Sequence, residues 1–502
     1  MFAYVEPAKG RTDMPSPLPA RTVATPALSR RALLRGAAAA GTAGLLTACA
    51  GRSDAVFDSE AVPWKRYAGT TLNFISENTA PTAAIAADVK PFTELTGIRV
   101  NIVTLELSAL AQKVALDFAS GNGEYDVVYA DPYLVLAPYA PAFADLRQFQ
   151  EDSELPDLSG GFGDFIPAQL DAAGRFQDSG KVLALPYDCP TMVWQYRADL
   201  FAKYRERMAD DLGFDPMPSD DSTWEQYYGI ARWFNENTDD VRYGTGHQAK
   251  QHDSLMCDFS NLLWSFGGDY FADGMRVGRL GAIDPGKCLL RAEEAVAGAE
   301  FYDRLLRVAD PGSLTWDWDG LGAAFRAGRI AMCPNWHEYA ASNEAALPGK
   351  VGYARLPKGP ARSAAMYGGT GIAVSNVVPA RRQQAAWLFL NWATAPKAQL
   401  SNLASKVGGG TPTRTSVYEV PRVVAAEHRP SQMPNMLSAR AVREAWQDKN
   451  IGLRPKIPMW GECDTAIYTQ VSRMLAGDAS PAAAMKAAAS RIDQITARGW
   501  VG

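Results

Sequence analysis

Aromatic side chains stand directly beside carboxylates and amides at several points of this 502-residue chain. The densest run is Thr315-Trp316-Asp317-Trp318-Asp319. A second is Asn335-Trp336-His337-Glu338-Tyr339, and Tyr187-Asp188 and Tyr367-Gly368-Gly369 are others. Such groupings suit a polyhydroxylated molecule, because ring faces pack on its C–H surface while polar groups hold its hydroxyls. A carboxylate acceptor makes those bonds roughly twice as strong as neutral ones. The same rings could cage a quaternary amine instead, or simply fill a core.

Catalytic chemistry has less to rest on. The chain has four histidines. His337-Glu338 begins an H-E-x-x-H pattern but lacks the second His, and His247 with His252 makes a poor metal pair. Neither a G-x-S-x-G elbow nor a G-x-x-x-x-G-K-[ST] loop occurs, and Gly369-Thr370-Gly371 is too short to claim a dinucleotide. Two carboxylates are the minimum for glycoside hydrolysis, yet nothing among the 55 acids singles out a pair. No catalytic residue, metal ligand or cofactor is assigned.

The elements that would position these residues alternate between strand and helix. Residues 71–75 and 99–105 alternate apolar and polar and predict strands, with Val100 and Ile102 on one side of the second. Residues 125–130 predict a short apolar strand. Between them, 81–95 predicts a helix interrupted near Pro91 and closed by Gly97, and 107–119 one ended by Gly121-Asn122-Gly123. This β-α-β-α-β order implies a parallel sheet flanked by helices. Ligands of such sheets sit beyond the carboxyl ends of the strands. That places Ser76, Glu77 and Asn78 with Asp131 and Tyr133 on one rim, and makes Glu77, Asn78 and Asp131 candidate ligand contacts. Further helices are predicted at 220–235, behind the Ser219-Asp220-Asp221-Ser222 run, and at 293–308, 380–393 and 481–495. Trp387 and Trp392 share one of these and read as packing.

Composition narrows the class. Lys and Arg total 50 against 55 Asp and Glu, a net charge of −5, without a basic tract, which argues against nucleic acid as a partner. No run of 18 apolar residues predicts a membrane-spanning helix. The N-terminus reads as an export leader: Ser29-Arg30-Arg31 matches a twin-arginine signal, 36–48 is small and apolar, and Leu46-Thr47-Ala48-Cys49 resembles a lipobox. Arg30 and Arg31 are the export residues and Cys49 the expected lipidation site. Met14 is an alternative start. Residues 1–48 carry two acids and six basic residues, so the exported body would hold about −9. Beyond Cys49 remain Cys189, Cys257, Cys288, Cys333 and Cys463, an odd number that leaves at least one unpaired.

The order of motifs resembles that of bacterial solute-binding proteins of sugar ABC transporters. Leu183-Ala184-Leu185-Pro186-Tyr187-Asp188 is followed by Trp194-Gln195-Tyr196-Arg197-Ala198-Asp199-Leu200-Phe201. Then come Thr223-Trp224-Glu225, Trp264-Ser265-Phe266-Gly267-Gly268, Phe325-Arg326-Ala327-Gly328 through Met332, Gly368 through Ser375, and Gly409-Gly410-Thr411-Pro412-Thr413-Arg414. The resemblance spans roughly residues 70–498. It implies an α/β periplasmic-binding-protein fold of two lobes, joined by a hinge that several chain segments cross. It also implies a signal over 1–48 and a linker over 49–68. Lobe one would take 69–187 with 370–411, and lobe two 188–369 with 412–502.

By the same resemblance the chain would be a monomeric, lipid-anchored protein outside the cytoplasmic membrane. It would capture a carbohydrate-like small molecule, a sugar, oligosaccharide or polyol, for an ABC permease. A phosphate ester or an amine in the same fold is the alternative. Trp336 would face the cleft, as the aromatic after the Ala331-Met332 segment does in the family. Asp188, Trp264, Trp316 and Tyr367 are further candidates. Gly369, beside Gly368, would let backbone approach ligand. Arg414 would donate a fork of bonds to hydroxyls or pair an acid across the lobes.

Overall fold

The structure, a computed structural model, describes residues 64–405, 409–428 and 433–500. Arg30, Arg31 and Cys49 lie outside the described residues. The strands in chain order are β1 (Thr71–Glu77), β2 (Arg99–Leu105), β3 (Val127–Ala130), β4 (Ala184–Asp188), β5 (Met192–Arg197), β6 (Tyr243–Thr245), β7 (Ile330–Trp336), β8 (Val351–Ala354), β9 (Ala365–Met366), β10 (Thr370–Val374) and β11 (Ile451–Gly452). They form a five-stranded sheet, β2-β1-β3-β10-β4, a four-stranded sheet, β6-β7-β5-β8, and a small pair, β11-β9.

The first sheet begins as the sequence predicts. β1 runs parallel to β2 and β3, with Phe74 opposite Ile102 on one side and Val127 on the other. β10 then enters antiparallel to both β3 and β4. The helix expected over 81–95 is two, Ala80–Asp88 and Lys90–Thr96, because Pro91 cannot donate to a continuous ladder. Gly97, at φ 72°, closes the second in the left-handed conformation. Helix Leu107–Ser120 ends in the same way on Gly121. Helix Ala380–Ala393 covers the sheet. Its Trp387 stacks on Phe149 and donates to the Pro156 carbonyl at 3.1 Å, while Trp392 stacks on Phe389, so both are core.

The second sheet has its own core, in which Trp194, Phe201, Tyr227, Tyr302, Met332 and Trp460 are buried. Its helix Trp224–Asn237 starts later than predicted. Thr223 and Gln226 form a capping box there, and the preceding Ser219–Ser222 run is a turn. The C-terminal helices Trp460–Leu475 and Pro481–Thr496 pack into this second core. All five described cysteines are free and buried. Among the described residues no helix is long and apolar enough to cross a membrane.

Two chain segments run side by side at the edge of the first sheet. Residues 189–191 carry β4 into β5, and residues 367–369 carry β9 into β10, with Thr191 bridged to Tyr367. Away from that crossing, Lys456 is wholly buried and donates to the carbonyls of Asp171, Ala172, Arg175 and Arg279. It thereby joins the carboxyl end of helix Pro167–Gly174, packed on the first sheet, to that of helix Gly274–Arg279 beside the second core.

Candidate ligand-binding cleft

Three carboxylates reach the gap between the sheets because strands of the first sheet end there. Glu77 is the last residue of β1, Asp131 follows β3, and Asp188 closes β4. Asp131 turns the chain: its Oδ1 accepts from the Tyr133 and Leu134 amides at 2.9 and 2.7 Å. From the other side β7 ends at Trp336, and Glu338 and Tyr339 follow it. These residues enclose a cavity of about 580 Å³, lined also by Tyr129, Asp253, Trp318, Asp319 and Arg454.

Trp336 is held in place by what lacks a side chain. A Cβ on Gly368 would come within 2.9 and 3.0 Å of its ring, so the ring lies almost on the backbone there. The Trp318 and His252 rings meet in a T-shaped contact, with centroids 5.2 Å apart. His337 is turned away from the cavity. Its Nδ1 accepts from the Thr191 amide and burial pulls it down to about 4, so it stays neutral.

Among the described residues, six carboxyl groups line the cavity against one guanidinium, that of Arg454. Arg454 lies over the Tyr133 ring at 4.3 Å and donates to Asp253 at 2.6 Å. Asp464 stands against Asp253 and is raised well above the carboxylate range by burial and by that neighbour. Asp319 accepts from the Tyr339 hydroxyl at 2.6 Å. Burial raises Asp131, with Arg454 and two backbone amides opposing. Glu77 is pushed up to about 8, first by burial and then by Asp131 and Asp188.

Asp188 and Glu338 face each other without a base between them. Burial raises Asp188 to about 6, and burial with the Asp188 charge raises Glu338 far more. The Cys189 amide and the Thr79 hydroxyl stand near enough to favour the Asp188 charge. Neither completes a hydrogen bond of ordinary geometry to its oxygens. One proton shared by the two carboxyls is therefore the arrangement the site favours in the free protein.

Of the residues singled out in the sequence, Glu77, Asn78, Asp131, Asp188 and Trp336 line this cavity. Five others do not. Trp264 packs edge-on to Tyr270 in the second core. Trp316 lies against Gly312 and Gly320 under the Arg329 guanidinium. Tyr367 is fully buried with its hydroxyl 3.3 Å from Cys189 Sγ. Gly369 makes its close approach to the Tyr367 ring, and it is Gly368 that borders the cavity. Arg414 stacks on Phe165 at 3.8 Å and donates to the Thr394 carbonyl at 2.8 Å, so its fork is spent on backbone near Asp164. Trp318, Asp319, Glu338 and Tyr339 were missed, although they stand in the same aromatic-acid runs. Asp253 and Arg454 had no local signal. Among the described residues no group of three His, Cys, Asp or Glu is arranged to hold a metal.

Two α/β sheets that meet along such a cavity form the two-lobe fold of periplasmic binding proteins. The chain matches the bacterial extracellular solute-binding protein family over residues 87–431 and belongs to that family. It is similar to a probable amino-acid ABC transporter periplasmic-binding protein of Sinorhizobium fredii. The two are 24% identical over 390 residues, 76% of this chain and 81% of the relative. Among solved structures it resembles maltose-bound MalE3 of T. maritima, with TM-score 0.69 and 23% identity over 85% of this chain and 99% of that one. It resembles equally a solute-binding protein of Agrobacterium radiobacter in complex with ribitol, with TM-score 0.68, 23% identity and the same coverage. The chain is thus an extracellular solute-binding protein by family, and the Sinorhizobium relative is named as the binding component of an ABC transporter.

Proposed function

We propose that this cleft captures a carbohydrate, a sugar, oligosaccharide or polyol, and presents it to an ABC importer. The observation that carries this reading is the lining itself: the Trp336 and Trp318 rings border the same cavity as a set of carboxyls. Hydroxyls donate to those acceptors, and C–H faces stack on the rings. Anions are disfavoured, since the one arginine among the described lining residues is already engaged by Asp253. A phosphate ester or a free amino-acid carboxylate would meet six acids and, among the described lining residues, no free cation. The maltose and ribitol complexes of the structural relatives agree with this choice.

The lobes we assign are 69–187 with 370–411 and 188–369 with 412–502. Contact of the solute with both favours their closure, and the closed face is what a permease would read. Export through Arg30-Arg31 and anchoring through Cys49 would hold a monomer at the outer face of the membrane. Thermal unfolding against sugars, polyols, phosphate esters and amino acids tests the ligand class. A concentration-dependent rise with a carbohydrate supports the reading, and a rise only with anionic solutes refutes it. Cys49→Ala should release the protein from the membrane, and replacing Arg30 and Arg31 by Lys should keep it inside the cell.

A further inference from the structure

The six lining carboxyls divide into two groups. Asp131 is met by two backbone amides, Asp253 by Arg454, and Asp319 by the Tyr339 hydroxyl. The other three, Glu77, Asp188 and Glu338, have no basic partner among the described residues. Asp188 is buried, and apart from the proton it shares with Glu338 its oxygens complete no hydrogen bond to a described donor; Glu338 Oε1 is equally unmet. Glu77 has only the Tyr129 hydroxyl. A polar group left this way in an enclosed site is costly unless something else supplies the donor.

A neutral polyol supplies donors but no charge. Its hydroxyls would leave three neighbouring carboxyls to be neutralised by protons alone. An ammonium group brings both a positive charge and three N–H donors. We infer that the solute of this cleft is a polyhydroxylated molecule bearing a protonated amine, whose ammonium sits against Asp188, Glu338 and Glu77. This rests on the reading of the cleft as a carbohydrate site and narrows it. The three carboxyls come from the ends of β1 and β4 in the first sheet and from beyond β7 in the second, so one ammonium would tie the lobes together.

The inference sets the sign of a pH effect. Around the ammonium seat the titrating groups are Glu77, Asp188 and Glu338, with Asp131 and the Asp253–Arg454 pair behind them. Amine binding displaces their protons, so affinity rises from pH 6 to pH 8 while the alkylamine stays charged. A neutral solute keeps those protons and gains nothing over the same range.

The experiment is calorimetry on the full protein with matched pairs. These are glycerol and 3-amino-1,2-propanediol, D-glucitol and D-glucamine, and D-glucose and 6-amino-6-deoxy-D-glucose, with butylamine and maltose as controls. We expect the amine of at least one pair to bind ten-fold or more tighter than its neutral partner, with proton release. Glu338→Gln should remove most of that advantage while circular dichroism stays unchanged, and Asp188→Asn serves if that variant does not fold. Equal or tighter binding of every neutral partner overturns the inference and leaves the carbohydrate reading standing. So does maltose binding where no amine binds. Butylamine binding as tightly as the hydroxylated amines overturns the hydroxyl requirement. If no hydroxylated compound binds at all, the carbohydrate reading fails with it.

Discussion

Replacing Glu77 by Gln should stabilise this protein at alkaline pH, against the usual expectation for a buried polar residue. The carboxyl lies at the end of β1, where burial, Asp131 and Asp188 move it from an ordinary 4.5 up to about 8. Below 4.5 the folded and unfolded chains both hold the proton, so it has no effect on stability. Between 4.5 and about 8 the folded state alone keeps it, and stability falls as pH rises through this window. At 1.36 kcal/mol per pH unit the full loss is about 5 kcal/mol. Glu77 is only partly buried by accessible surface, so water at the cleft mouth reduces this to roughly 2 kcal/mol. Glutamine keeps the shape and cannot ionise. Equilibrium urea unfolding at pH 5 and pH 8.5 is the assay. The variant should match the parent within about 1 kcal/mol at pH 5 and exceed it by about 2 kcal/mol at pH 8.5. A variant less stable at pH 8.5, or a difference that ignores pH, would show that donors hold the carboxylate and refute the desolvation argument.

Three other substitutions probe separate parts of the cleft and its supports. Gly368→Ala places a methyl within 3.0 Å of the Trp336 ring and Pro190 beyond it, so the ring must move into the cavity. The expected cost is about 1–3 kcal/mol of stability and about ten-fold in solute affinity, read by melting and calorimetry. Arg454→Met leaves Asp253 and Asp464 without their cation, and about 3–5 kcal/mol should be lost near neutral pH. Because protons can replace the guanidinium on these acids, the deficit should shrink at pH 5, and a deficit constant with pH would contradict the pairing. Lys456→Met strands four backbone carbonyls that end helices on both sheets. Thermal unfolding should report a loss of about 3 kcal/mol, and a neutral result would mean that water takes the place of the ammonium.

Much of the first sheet was legible because its signals are local. β2 was read at its observed bounds from alternation, and helices ending at Gly97 and Gly121 were marked by the residue their geometry requires. The strands of the second sheet gave no alternation, since every residue of β7 and nearly every residue of β5 is buried. For the cleft, the rule that ligands sit at strand ends found Glu77, Asn78 and Asp131, and family motifs found Asp188 and Trp336. Choosing among tryptophans failed for a physical reason. Trp316 and Trp318 flank the same aspartate, but Asp317 caps the helix that begins at Trp318, and that turn sends one ring to packing and the other to the cavity. The Asp253–Arg454 contact joins residues 201 apart and could come only from the assembled fold.

In the closure proposed for the lobes, the same carboxyls would oppose an empty closed cleft. Glu77 and Asp188 end strands of the first sheet and Asp131 follows one, while Glu338 and Asp253 belong to the side of the second. Bringing the sheets together concentrates these charges, so an empty closed state must either gather protons or bear their repulsion. A solute that donates to Asp188 and Glu338 removes that penalty wherever both are within its reach. Its differential affinity for the two forms then equals the penalty it relieves, and that quantity sets how far binding can shift the population. Neutralising Asp188 and Glu338 together should therefore close the cleft without solute, and small-angle scattering would detect this as a smaller radius of gyration. An unchanged radius in that double variant would mean that the carboxyls select the solute but do not govern the motion.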